Sequence, residues 1–228
     1  EQDLLRQVQV ASVQSIIRRD AKPENISLII VDEAHHIKAR TYLNLLSHYS
    51  HQSTKLLGVT ATPQRTDGEG FNDVLDSIVT SWSIREFIKS GFLCNIKHLA
   101  PYNPNLEDLR INYRLKDYET EDLDHLMNSE EVIAEVVDSY KRYASGLKTI
   151  VFAVNQKHSK NIVDRFLDEG YSAAFIDSKT ELKEREKILE DFKIGAFQIL
   201  CNVNIFTEGF DCPEVESVIL ARPTKSLI

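Results

Sequence analysis

The chain has 228 residues, of which 42% are hydrophobic and 27% are charged, and its formal net charge is -8 at pH 7. This composition is typical of a globular protein with a hydrophobic core, and it excludes a disordered chain, a collagen and a coiled coil. The acidic balance speaks at first against a nucleic-acid-binding protein, because such proteins usually carry a basic excess.

The three cysteines, Cys94, Cys201 and Cys212, form no close pair along the sequence. They favour neither a disulfide framework nor a cysteine zinc site, and they predict a reducing, cytoplasmic location. No apolar run approaches the ~18 residues of a membrane helix, so we expect no membrane partner. The chain starts at Glu1 without a signal peptide, and we expect it to be an internal fragment of a longer protein.

Residues 1–90 contain short apolar runs, at Val8–Val13, Leu28–Val31 and Leu56–Thr60, and a helix is predicted over Ala39–Tyr49. Apolar runs without alternation are typical of buried strands in a parallel sheet. The first part of the chain is therefore predicted to be an α/β domain.

Residues 129–228 repeat this pattern more regularly, with Gly170 predicted to end a helix. The alternation of strands and helices predicts a second parallel sheet with right-handed crossovers. The predicted helices are Glu130–Tyr143, Asn155–Glu169 and Glu181–Phe192, and the predicted strands are Thr149–Val154, Ala173–Ile176, Phe197–Val203 and Ser217–Ala221.

Residues 91–128 are predicted to be a linker and an acidic insertion. Residues 101–138 hold eleven acidic and three basic residues, whereas the rest of the chain is balanced, with 24 of each. The acidic excess is thus local, and phosphate contacts need only a local groove. Nucleic-acid binding is therefore not excluded, and we expect the acidic segment to face away from the bound nucleic-acid strand.

Two adjacent carboxylates, Asp32 and Glu33, follow the apolar run Leu28–Val31. They are expected at the carboxyl edge of the sheet, where open α/β sheets bind ligands. One can hold Mg²⁺ and the other can accept a proton from water, as phosphoryl transfer to water requires. The alternative is a solvated pair that caps the following helix.

The segments Asp32-Glu33-Ala34-His35 and Thr60-Ala61-Thr62-Pro63, each at the end of an apolar run, resemble motifs II and III of superfamily 2 helicases, in particular the DEAH-box branch. Thr149–Ala153 resembles motif IV, and Thr207-Glu208-Gly209-Phe210-Asp211 resembles motif V. The string from Gly58 to Gly68 is similar to the restriction-motor and DNA-repair branch. The resemblance implies two RecA-like parallel-sheet domains, the first (1–90) incomplete at its N-terminus and the second (129–228) truncated at its C-terminus.

The resemblance also implies an ATP-dependent DNA helicase or translocase with ATP and Mg²⁺ as cofactors. Its partner would be duplex or single-stranded DNA, with room for other subunits or fused nuclease or accessory domains. Asp32 would hold Mg²⁺ and Glu33 would deprotonate the attacking water. His35, as part of the catalytic group, would couple the nucleotide state to nucleic-acid contacts together with Thr60 and Thr62.

The resemblance implies that Gln14, Ser15 and Thr207 contact the nucleic-acid strand. Gly209 and Asp211 would approach the nucleotide from the second domain. Thr180 and Arg185 match a further family segment, although Ser178 stands where the family usually has glycine. The histidine pairs His35-His36 and His48/His51 are expected to be surface or capping residues rather than a metal site.

No glycine precedes Asp32, so these residues contain no upstream phosphate-binding P-loop, and no motif with an arginine finger follows Arg222. We therefore expect this chain alone not to hydrolyse ATP. Two alternatives remain open at this point: an RNA helicase, and a non-catalytic nucleic-acid-binding module that has kept the helicase fold.

Overall fold

A computed structural model describes residues 6–19, 25–49, 53–62, 70–113, 117–206 and 210–224. The chain divides into two units, residues 1–96 and residues 97–227. Each unit contains a parallel sheet with helices, so the predicted α/β class is confirmed. None of the described helices has the length and apolarity that a membrane crossing requires.

The first unit is built around two parallel strands that pair from Leu28 with Lys55 to Val31 with Gly58. Its elements are α1 (Val13–Arg19), β1 (Leu28–Val31), α2 (Arg40–Tyr49), β2 (Lys55–Gly58) and α3 (Ile84–Lys89), with a single 3-10 turn at Ala34–His36 between β1 and α2. Both strands therefore point their carboxyl ends to one edge, where Asp32 follows β1.

The two faces of this sheet differ in burial. Ile29, Val31 and Leu56 pack into a small core, together with Ala34, Ile37, Leu46 and Phe71. On the opposite face, the exposed fractions are 52% for Leu28, 61% for Ile30, 49% for Leu57 and 50% for Val59. The described residues cover only one face of the sheet, so the expectation of buried strands holds for that face alone.

The predicted strand at Val8–Val13 is also wrong. Val8 is 78% exposed, Val10 is 96% exposed, and a helix begins at Val13 instead. The Ser12 hydroxyl accepts a hydrogen bond from the Ser15 backbone N–H at 3.2 Å. A serine cap of this kind favours a helix start, and no strand in the described ranges pairs with this run.

The second unit contains a sheet of four parallel strands, in the spatial order Ala173–Ile176, Ile199–Asn202, Thr149–Phe152 and Ser217–Leu220. Two core clusters form, one around Tyr140, Val151 and Phe166 and the other around Ile176 and Phe192. Gly170, with φ +82, ends the helix Gln156–Asp168, as predicted. The elements of this sheet and its helices are α5 (Glu130–Tyr143), β5 (Thr149–Phe152), α6 (Gln156–Asp168), β6 (Ala173–Ile176), α7 (Leu182–Ile194), β7 (Ile199–Asn202) and β8 (Ser217–Leu220).

The segment expected to be a linker and acidic insertion has secondary structure of its own. It forms a short antiparallel hairpin of β3 (Ile111–Asn112) and β4 (Asp117–Tyr118), followed by α4 (Thr120–Met127). Leu123 and Met127 are buried in a cluster that includes residues of the second unit. The apolar face of α4 therefore makes the later part of this segment an integral part of that unit.

Carboxylates of this acidic segment lie at the carboxyl edge of the sheet formed by β5 to β8, a position that the sequence did not predict. Asp124 accepts a hydrogen bond at 2.6 Å from the side-chain amide of Asn155, which caps α6 just after β5. Asp117 pairs with Arg222, which follows β8. The segment thus turns part of its charge toward the sheet edge rather than away from it.

His158 is a fully buried histidine in the first turn of α6. Its Nδ1 accepts the Val154 backbone N–H at 3.2 Å, so the ring proton of the neutral form sits on Nε2. Burial lowers the pKa of His158 to about 4. The side chain is therefore neutral in the folded protein at pH 7.

Candidate functional site

The loops that follow β1 and β2 are joined by backbone hydrogen bonds. The Val59 N–H donates to the Val31 carbonyl at 2.9 Å, and the Ala34 N–H donates to the Val59 carbonyl at 2.9 Å. These bonds extend the parallel ladder past the strand ends. They bring Asp32-Glu33-Ala34-His35 alongside Thr60 and Thr62.

Gly58 permits this close approach. A methyl group on Gly58 would lie 2.8 Å from the Ala34 side chain and 3.3 Å from Cδ1 of Leu75. Carbon atoms do not pack at 2.8 Å, so any larger residue would push the two loops apart. This role of Gly58 was not predicted, although a glycine at the end of an apolar strand is a signal of close backbone approach.

Glu33 has an uncommon backbone conformation, with φ 49 and ψ 50 in the left-handed region. The Asp32 carboxylate stabilises it by accepting the Glu33 backbone N–H at 2.9 Å. The Glu33 side chain does not cap the Ala34–His36 turn. Its carboxylate instead points to the imidazole of His35, with 3.3 Å between Oε2 and Nδ1.

His35 connects the two loops. Its Nδ1 lies 3.2 Å from the Thr60 hydroxyl as well as 3.3 Å from the Glu33 carboxylate. A lone pair on Nδ1 would repel the carboxylate, so the tautomer with the proton on Nδ1 is favoured. Thr60 in turn accepts the Thr62 backbone N–H at 3.1 Å. The structure thus brings Glu33, His35, Thr60 and Thr62 together, as the sequence suggested.

Lys38 anchors the segment that begins at residue 70. Its ammonium donates to the Gly70 carbonyl at 3.1 Å and lies 3.2 Å from the Asp73 carboxylate. The adjacent Phe71 is 3% exposed and packs in the core with Ala34 and Ile37. No sequence pattern indicated this role of Lys38, since a lysine three residues after His35 matches no motif.

Gln14 and Ser15 lie in the first turn of α1. Gln14 is exposed, whereas Ser15 is half-buried and receives a hydrogen bond from the Ser12 hydroxyl at 2.9 Å. The exposed amide of Gln14 can reach a ligand. The Ser15 hydroxyl is already engaged by the helix cap.

In the second unit, Asp211 is exposed, whereas Thr207 and Gly209 lie outside the described residues. The rings of Phe206 and Phe210 stand 4.1 Å apart, centre to centre, and Phe206 is buried. This contact places Phe210, the neighbour of Asp211 in the sequence, against the buried Phe206. Asp211 therefore projects from an anchored position.

Thr180 and Arg185 belong to a local turn organised by Asp177. The buried Asp177 carboxylate accepts the backbone N–H groups of Lys179 at 2.8 Å and Thr180 at 3.0 Å. Arg185 donates to the Asp177 carbonyl at 3.2 Å. Through these contacts, Thr180 and Arg185 stabilise the turn at the start of α7 (Leu182–Ile194). The organising role of Asp177 was not predicted from the sequence.

Two family models match the chain over most of its length. Residues 128–228 match the helicase conserved C-terminal domain, and residues 2–65 match the type III restriction enzyme, res subunit. The chain belongs to the superfamily 2 helicases. The predicted resemblance is thereby confirmed.

Relatives of this chain include a 51.5 kDa protein of Lactococcus phage (isolate 7-9), which is 34% identical over 98% of the chain and 48% of its own length. A candidate ATP-dependent helicase of Saccharomyces cerevisiae, IRC3, is 36% identical over 95% of the chain and 33% of its own length. The chain thus spans half or less of the length of these relatives. A variant of S. cerevisiae Dbp5 bound to RNA and ADP BeF3 superposes with a TM-score of 0.52 at 15% identity, covering 92% of the chain and 48% of Dbp5, which supports the RecA-like fold alone.

Proposed function

We propose that the chain is part of an ATP-dependent helicase or translocase that acts on DNA, and that Glu33 is its catalytic base. The observation that carries this proposal is the contact of His35 with both Glu33 and Thr60, at 3.3 and 3.2 Å. It joins the carboxylate suited to hydrolysis to the hydroxyl loop in a chain of the helicase family. Because the chain spans half or less of its relatives, the activity belongs to the whole protein.

Asp32 is the proposed Mg²⁺ residue. Its side chain is exposed at the end of β1, and the Glu33 N–H orients one carboxylate oxygen at 2.9 Å. An oriented, accessible carboxylate suits a hard cation that keeps most of its waters. When bound with ATP, Mg²⁺ would neutralise charge on the phosphate oxygens.

Glu33 is the proposed base because its carboxylate is both oriented and accessible. Its side chain is 40% exposed, and the His35 Nδ1–H holds one oxygen at 3.3 Å. The other oxygen can accept a proton from water. A positioned base typically contributes ~10²- to 10⁴-fold to the rate.

His35, Thr60 and Thr62 are the proposed coupling residues. A shift of the Glu33 side chain changes the hydrogen bond of His35, and His35 contacts the Thr60 loop directly. The proposed nucleic-acid contacts are Gln14, Ser15 and Thr207. Gly209 and Asp211 are proposed to approach the nucleotide.

DNA is proposed as the substrate because residues 2–65 match the restriction-enzyme subunit, whose class acts on DNA. The RNA in the Dbp5 complex belongs to that protein, whose 15% identity carries no substrate information. Other subunits or fused nuclease domains are compatible with the extra length of the relatives.

The test uses the full-length protein that contains these residues. ATP turnover is measured without nucleic acid and with duplex DNA, single-stranded DNA or single-stranded RNA. We expect stimulation by DNA, and we expect Glu33→Gln to lower kcat by ~10²- to 10⁴-fold with little change in the Kd for ATP. Glu107→Gln, an exposed carboxylate of the acidic segment, is the matched control.

Three results would contradict the proposal in different ways. Stimulation by RNA and not by DNA would indicate the RNA helicase alternative. Nucleic-acid binding without any ATP turnover by the full-length protein would indicate a non-catalytic module. Undiminished turnover in Glu33→Gln would assign the base to another residue.

A further inference from the structure

Asp117, the first residue of β4, contacts two residues that follow β8. Its Oδ2 accepts the Thr224 hydroxyl at 3.0 Å and lies 3.6 Å from Nη2 of Arg222. The Asp117 side chain is only 14% exposed, and that of Arg222 is 34% exposed. An ion pair shielded in this way is stronger than one between fully solvated side chains.

The same guanidinium reaches the loop that follows β7. Nη1 of Arg222 donates to Oδ1 of Asn204 at 2.8 Å. Asn204 has φ 52, a left-handed conformation that asparagine adopts more readily than most residues. The planar fork of Arg222 therefore bridges the carboxylate of the β3–β4 hairpin and a strained position in the loop after β7.

The base of this loop is already fixed from inside the unit. Asn202 is fully buried and donates its side-chain amide to the Val151 carbonyl at 3.1 Å. Its Oδ1 accepts the Ile205 N–H at 3.4 Å. Asn204 lies between these anchors and is exposed, so Arg222 contacts it from the outer side of the loop. The contacts Asp117–Arg222 and Arg222–Asn204 together form a side-chain tie.

We propose that the β3–β4 hairpin is a positioning element: Asp117 holds Arg222, which holds Asn204 and thereby orients residues 203–206, which follow β7. The hairpin lies in the acidic segment, outside every helicase motif in the sequence. Its consequence for nucleic-acid contact rests on the proposed function, because Thr207, a proposed nucleic-acid contact, directly follows these residues in the sequence. The tie itself does not depend on that function.

The tie is tested by hydrogen–deuterium exchange on the 228-residue chain. In Asp117→Asn, which retains Oδ1 as the acceptor for the Tyr118 N–H, exchange in the peptide that covers residues 203–206 should become about tenfold faster. Asp108→Asn, an exposed carboxylate of the same segment, should leave it unchanged. Unchanged exchange in α5 and α6 shows that the second unit remains folded.

A second pair of variants tests the other end of the tie. Asn204→Gly keeps the left-handed backbone but removes the acceptor for Arg222, and it should accelerate exchange in the same peptide. Asn204→Asp keeps the acceptor and should retain the protection. Wild-type exchange in both Asp117→Asn and Asn204→Gly would overturn the proposal.

The functional consequence is tested in the full-length protein by the DNA concentration that gives half-maximal ATPase stimulation. Asp117→Asn should raise this concentration severalfold with kcat retained, and Asp108→Asn should not. If wild type is stimulated and Asp117→Asn matches it, the positioning role is overturned. If wild type itself is not stimulated by any nucleic acid, the proposed function fails, and the exchange measurements still decide whether the tie exists.

Discussion

The imidazole Nδ1 of His35 lies 3.2 Å from the hydroxyl of Thr60, a residue 25 positions further along the chain. This contact adds a side-chain connection between the loop after β1 and the loop after β2, which backbone hydrogen bonds also join. Because His35 also contacts Glu33, a displacement of either loop changes the hydrogen bonds of the other.

Removal of the Thr60 hydroxyl should weaken this connection. We expect Thr60→Val to destabilise the chain by about 1 kcal/mol in urea unfolding, since His35 loses a hydrogen-bond partner. In the full-length protein, the ratio of DNA-stimulated to basal ATP turnover should fall severalfold, and Thr60→Ser should restore it. Thr54→Val removes a hydroxyl that donates to Ile26 outside the site, so it should affect stability alone. An equal loss of stimulation in Thr54→Val would contradict a specific role for Thr60.

The close approach of Gly58 and Ala34 predicts a steric effect that can be rescued. Gly58→Ala should destabilise the chain by about 1–3 kcal/mol, because the added methyl would lie 2.8 Å from the Ala34 side chain. The double variant with Ala34→Gly should recover part of this loss, as a double-mutant cycle in urea would reveal. Gly70→Ala is the control, since its nearest atom would lie 3.8 Å away. Strict additivity of the two substitutions would argue against the contact.

The buried His158 predicts a pH-dependent stability of the second unit. Its pKa is about 4 in the folded protein, below its ordinary value of 6.5, so protonation favours the unfolded chain. His158 should therefore not affect the free energy of unfolding well above pH 6.5. The free energy of unfolding should fall by about 2 kcal/mol between pH 7 and pH 5, as His158 of the unfolded chain becomes protonated. In unfolding experiments, His158→Asn should lose this dependence and the exposed His125→Asn should keep it. The same pH profile in wild type and His158→Asn would contradict the assignment.

The 228-residue chain should not hydrolyse ATP by itself. It contains no phosphate-binding G-x-x-x-x-G-K-[ST] sequence, and triphosphate binding in this family depends on one. A coupled phosphate-release assay on the purified chain, with and without DNA, checks this directly. Nucleic-acid-stimulated turnover that disappears in Glu33→Gln would prove the expectation wrong.

The sequence predicted the sheet of the second unit closely because each of its strands is a compact apolar run between amphipathic helices. It failed at Val8–Val13, where composition favoured a strand but the Ser12 cap starts a helix. It also missed α4, since a dense run of carboxylates hides the apolar pair Leu123 and Met127. Local pattern does not reveal which distant surface is available to pack against.

The members of the candidate site and the proximity of its carboxylates and threonines were predictable, but the contacts that anchor them were not. The adjacent carboxylates and the threonine pair were visible because they follow apolar runs. The left-handed backbone of Glu33 and the anchoring role of Lys38 depend on contacts between segments far apart in sequence. Such contacts are fixed by the tertiary structure, so no local spacing rule predicts them.

The two units have cores of unequal size, and this difference should determine how the chain unfolds and where proteases cut it. Ile37 is the one large side chain in the described part of the first unit that is fully buried, whereas the second unit buries Tyr140, Phe166 and Phe192 completely. Unfolding of the isolated chain should therefore proceed in two steps rather than one. Limited proteolysis should digest the first unit early and leave a resistant fragment that begins near residue 97.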